Sequence, residues 1–134
     1  MREHVRAQTA MLLRRLAFQV SRAAESGQDA EAVHDLRVSI RRLSRCLRVF
    51  SAFYPGRSWK RIRRELAGMM QLAGAVRDRD IALLSIAEAG PARRGAVVAR
   101  LETERKEAAM ELMSGARLWK RSSFSRKWRG MLEL

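Results

Sequence analysis

The stretch from His34 to Phe50, HDLRVSIRRLSRCLRVF, repeats arginine at a spacing that a helix converts into a line. Wound at about 100° per residue, Val33, Leu36, Ile40, Leu43, Leu47 and Phe50 share one arc, the 3-4-3-4 spacing of a core seam. His34, Arg37, Arg41, Arg45 and Arg48 share a second arc beside it, roughly 80° wide and about four turns long. Like charges four residues apart cost a few tenths of a kcal/mol each on an isolated helix. A solvated basic face is the ordinary meaning of a charge run, but this stripe carries no acid, and a ligand that removes the repulsion explains it better. Guanidinium is the group for the purpose, because its planar fork grips two phosphate oxygens together where ammonium acts as a point charge. Helix turns repeat about every 5.4 Å, so such a row can follow a linear phosphate polymer that has no bases to read.

The next segment echoes the pattern. Trp59, Ile62, Leu66, Met69 and Ala73 form a seam, with Arg57, Lys60, Arg61 and Arg64 on another flank, so two basic flanks could border one groove if the helices pack antiparallel. His34 is either a pH-sensitive phosphate donor or a hydrogen-bonded histidine at a helix start. Asp78 and Asp80 invite a metal reading, but residues two apart on a helix point about 200° from each other, so ion pairing suits them better. Arg105 sits within the apolar arc of Val98, Leu101, Ala108 and Leu112, where a charge needs a partner. The expectation is that Asp78 or Asp80 meets Arg105 or Arg37.

The wider composition agrees with an anionic partner. The chain has 28 Lys+Arg against 14 Asp+Glu, a net charge of +14, and such a surplus repels itself in a compact fold. Of the 28, 24 are arginine; a GC-rich coding bias accounts for that ratio as well, though not for the net charge. Eleven basic residues and one acid, Glu65, lie between Leu36 and Arg77, and six basic residues and no acid lie between Arg117 and Arg129. His4 is the only other histidine and Cys46 the one cysteine, so neither a zinc motif nor an intrachain disulfide is expected, and Cys46 reads as a core filler. No triad, Walker loop or convergent carboxylate cluster is present, and the chain is expected to be neither an enzyme nor dependent on a metal or cofactor. With no run of 18 apolar residues and no signal-peptide core, the expectation is a cytoplasmic protein without a membrane partner.

The elements that must hold these residues are helical. The apolar period predicts helices over about 2–25, 30–54, 59–73, 76–89, 91–113 and 123–132. Asp29 and Ser58 are candidate caps, Gly74 a break, and Pro91 the first position of a helix. At 134 residues the chain suits a single domain, residues 1–134. The short loops make it all-α: an antiparallel helical bundle of four long helices plus a short C-terminal one.

AVHDLRVSIRRLSRCLRVFSAFYP, residues 32–55, resembles the HxxR-V-x-x-R-R-L signature of the CHAD family, the conserved histidine α-helical domain. LAGAVRDRDIALL, residues 72–84, resembles that family's LG-x-x-RD-x-D element, and Glu104-Arg105 followed by Ser, Arg and aromatic residues stands as a weaker third. The resemblance implies a helical domain that binds inorganic polyphosphate through basic residues, often near triphosphate-tunnel hydrolases and polyphosphate granules. His34, Arg37, Arg41 and Arg42 are then its signature basic residues, Arg77 the RD arginine and Arg105 the arginine of the fourth helix; helical geometry adds Arg45, Arg48, Lys60 and Arg64. Family members usually have two similar helical halves, and this sequence resembles one. A homodimer is therefore expected to rebuild the pair, with the tail around Trp119, Phe124 and Trp128 docked on a second copy. The expected ligand is polyphosphate or a similar polyanion, and the alternative is an RNA- or DNA-binding helical protein, although no helix-turn-helix or base-stacking platform is evident.

Overall fold

The computed structural model describes residues 1–90 and 95–134. Its regular elements are helices: α1 Arg2–Ser26, α2 Ala30–Val49, a 3₁₀ turn Ser51–Phe53, α3 Gly56–Glu88, α4 Ala96–Arg121 and α5 Phe124–Met131. Among the described residues there is no strand, and no helix is long and apolar enough to cross a membrane. Each long helix packs on its sequence neighbours and α1 packs on α4, closing a four-helix ring. The pairings run antiparallel: Thr9 meets Cys46 and Arg22 meets Asp35 across α1 and α2, and Arg63 meets Ser44 across α2 and α3.

The seam read from the sequence is the core. Leu36, Leu43 and Leu47 from α2 and Ile62, Leu66 and Met69 from α3 are buried against Leu13, Leu16 and Val20 of α1 and Leu112 of α4. Apolar side chains of this size supply about 1.5–3 kcal/mol each when taken fully out of water. One polar knot crosses the core. The Thr9 hydroxyl bonds the Val5 carbonyl at 2.8 Å and the Tyr54 hydroxyl, with Cys46 Sγ at 3.5 Å. Burial pushes the Tyr54 hydroxyl above its usual value of 10.0, against the lowering pull of the Thr9 hydrogen bond.

Helix boundaries follow local chemistry in some places and packing in others. Asp29 caps α2, its carboxylate accepting from the Glu31 amide at 3.3 Å. α2 stops at Val49 rather than at Tyr54, because the chain tightens into the 3₁₀ turn before Pro55. α3 starts at Gly56 behind Pro55, so Ser58 lies inside the helix and is not its cap. Gly74 does not break α3. A glycine there costs about 1 kcal/mol, and buried Ala73 and Val76 on either side hold the helix straight through it. α4 continues past Met113 to Arg121 for the same reason, with Ala116 buried. Gly27 leaves room where α1 ends against α4: a Cβ there would lie 2.5 Å from Met113 Cγ. The expectation at Pro91 falls outside the described residues.

The tail folds back on its own chain. Trp119, Phe124 and Trp128 stack with ring centroids 4.9–5.1 Å apart, and Trp128 donates to Glu65 at 3.1 Å. Phe124 and Trp128 are buried in this bundle, so the aromatic surface expected to dock on a second copy is used within the chain. At the opposite end, the last buried residue of α3 is Val76 and the first of α4 is Ala108. Beyond those levels the two helices form an arm that encloses no fully buried side chain.

Candidate functional site

The arginine stripe of α2 divides over two grooves. Arg41, Arg45 and Arg48 line a cavity of about 300 Å³ between α2 and α3, floored by Ile40, Leu66 and Met70. A fourth guanidinium, Arg63, reaches it from α3 and is fixed there by donating from Nε to Ser44 Oγ at 3.1 Å. No carboxylate is among the lining residues. Arg42 turns the other way, toward α1, where it lines two further cavities.

The remaining expected residues are spread more widely. His34 is exposed in the second turn of α2, and Arg37 is half-buried with its Nε enclosed and unpaired. Lys60 and Arg64 are exposed on α3 outside the α2–α3 cavity lining, and the Lys60 ammonium stands 5.7 Å over the Trp59 ring. Arg77 is half-buried further along α3. Arg105 is committed internally: its Nε bonds the Asp80 carboxylate and an Nη bonds the Gln28 carbonyl. The carboxylate partner expected for Arg105 is thus Asp80, and that charge is matched within the fold.

Sequence reading missed Arg63 because it favoured the outward flank of Arg57, Lys60, Arg61 and Arg64. A usable signal was present. Ser44 and Arg63 lie at equal distances from the turn at Phe53–Tyr54, so a straight antiparallel hairpin brings them level. Arg14 and Arg15 of α1 were missed as well, because their apolar neighbours Met11 and Leu12 mark the core face; Arg15 lines both cavities that Arg42 faces, and Arg14 one of them.

Ion pairing separates these groups from the other cations. Among the described residues, the salt bridges join Arg22 to Asp29 and Asp35, Arg79 and Arg100 to Glu104, and Arg105 to Asp80. None involves Arg41, Arg45, Arg48 or Arg63. The antiparallel register sets residues 1–14, 42–66 and 119–134 at one end of the bundle. These segments hold sixteen Lys and Arg and only Glu3, Glu65 and Glu133 as acids, which is thirteen of the fourteen net positive charges. The α2–α3 groove reaches into this end, with Ser44, Arg45, Arg48, Arg63 and Leu66 inside these segments and Arg41 at their border. A low-dielectric wall beneath such a field raises the local concentration of anions. No cluster of three or more His, Cys, Asp or Glu able to hold a metal exists among the described residues.

Compared with protein-family models, residues 7–133 match the one described as CHAD domain. Compared with curated proteins and with solved structures, the chain has no match.

Proposed function

On the premise that this chain belongs to the CHAD family, as the match over residues 7–133 shows, we propose that it binds inorganic polyphosphate in the α2–α3 groove without acting on it chemically. The observation that carries this reading is the convergence of Arg41, Arg45, Arg48 and Arg63 on one cavity whose lining has no carboxylate. Each guanidinium can offer two parallel donors to adjacent phosphate oxygens, and the Arg63–Ser44 bond holds one fork ready before ligand arrives. The apolar floor lowers the local dielectric and strengthens those contacts. Binding then releases condensed counterions, so affinity falls steeply as salt rises. A protein with this property is expected at polyphosphate granules in the cytoplasm.

The test is retention and competition. Wild-type protein should bind a polyphosphate matrix, and the charge reversal Arg41→Glu with Arg45→Glu should weaken binding by well over about tenfold. Soluble polyphosphate should displace RNA or DNA at much lower phosphate concentration than nucleic acid displaces polyphosphate. Unchanged retention of the double variant removes the groove as the site. The reverse order of displacement makes nucleic acid the ligand.

A further inference from the structure

The cavities on the other side of α2 carry the argument further. Between α1 and α2 lie two hollows of about 570 and 410 Å³, which share Arg15 and Arg42 in their linings and so follow one another along the groove. Arg14 adds to the first and Arg45 to the second. Arg45 also lines the α2–α3 cavity, and its side chain is therefore common to both sides of the helix. The one acid in these linings, Asp35, is already engaged by Arg22 at 2.6 Å. Arg14, Arg15 and Arg42 enter no salt bridge among the described residues.

We infer that the α1–α2 groove is a second anion-binding track, continuous with the first over Arg45, so that a chain-like polyanion straddles α2. The inference rests on the polyphosphate reading and adds a length requirement to it. An α-helix with its side chains is about 10–12 Å across. A short oligophosphate fits within one groove, whereas only a longer polymer reaches from Arg63 over Arg45 to Arg15 and Arg14. Length selectivity then comes from effective concentration: once one groove is occupied, the second is engaged as an intramolecular step.

The experiment compares tripolyphosphate with long-chain polyphosphate on three proteins: wild type, R14A/R15A, and R121A/R126A. The last removes the same charge from exposed positions that line none of these three cavities. Arg14 and Arg15 are exposed on α1, and circular dichroism checks that both variants keep the wild-type helix content. The expected result is that R14A/R15A loses about tenfold in affinity for the long polymer, with a log–log salt slope shallower by one to two units. Its tripolyphosphate affinity should stay within the small change that R121A/R126A shows for both ligands. Two results overturn the inference: equal losses for short and long ligands, or a long-polymer loss no greater than that of R121A/R126A. If R41E/R45E still abolishes binding in either event, the α2–α3 site stands and only the second track is lost. If wild type binds neither polyphosphate, the underlying reading itself has failed.

Discussion

At the end of the bundle where α1 stops and α2 begins, cations are answered by carboxylates: Arg22 by Asp35, Arg105 by Asp80, and Arg79 and Arg100 by Glu104. At the other end, with α5 included, the chain carries sixteen basic residues against three acids, and the arginines facing the grooves have no carboxylate within 4 Å among the described residues. The matched end reaches out along the α3–α4 arm, beyond the last buried residues Val76 and Ala108, whereas the unmatched end lies over the leucine-rich core. The use of charge differs as well. The matched end fixes geometry, with Arg105 tying α3 and the Gln28 carbonyl to α4. The unmatched end accepts self-repulsion, which on the proposed reading a bound anion relieves.

The contrast predicts opposite responses to mutation. The largest effect belongs to R41E/R45E. Besides weakening polyphosphate retention by well over about tenfold, it should raise the thermal midpoint at low salt, because it removes like-charge repulsion. A lowered midpoint in a thermal melt would show that these arginines stabilise the fold, and the contrast would collapse. Asp80→Ala should do the reverse. It leaves the partly buried Arg105 guanidinium, 23% exposed, without its carboxylate, at a cost of about 2 kcal/mol in denaturant unfolding. Its affinity for tripolyphosphate should remain that of wild type.

Smaller effects sharpen the picture of the core. Tyr54→Phe removes the hydroxyl that bonds Thr9 and should cost about 1 kcal/mol at neutral pH. The folded state holds the Tyr54 proton more tightly than the unfolded chain does, since burial raises its pKa. Its share of stability is therefore whole below pH 10 and declines as pH rises through the unfolded value toward the raised folded one. Unfolding followed against pH should show a shallower alkaline decline in the phenylalanine variant. The smallest change is expected from Gly74→Ala, where a Cβ meets nothing within 4 Å in mid-helix. It should stabilise by about 0.5–1 kcal/mol in the same unfolding experiment and leave binding untouched.

Much of this was open to sequence reading. The helical period gave the α2 seam from Val33 to Leu47, with Phe50 falling past the helix end and only partly buried, and the apolar setting of Arg105 called for Asp78 or Asp80 as its partner. Breaks were harder. Gly74 and Ser58 carry the right local chemistry for a boundary, yet packing of Ala73 and Val76 overrides the first and Pro55 starts the helix before the second. A propensity of about 1 kcal/mol yields to the burial of neighbouring side chains. The tail shows the same limit. Its aromatic residues announced a contact, but nothing local distinguishes a partner's surface from the chain's own core.

The order of residues alone fixed an all-helical chain with a strong positive surplus and a row of arginines down the second helix, because periodicity and charge are properties of neighbours in the chain. Tertiary structure decided which of those arginines meet. Arg63 joins Arg41, Arg45 and Arg48 only through the register of α2 against α3, Arg42 joins Arg14 and Arg15 only through α1, and Arg105 is withdrawn by a carboxylate 25 residues away. Convergence is set by packing between helices, and helical spacing within one of them does not contain it.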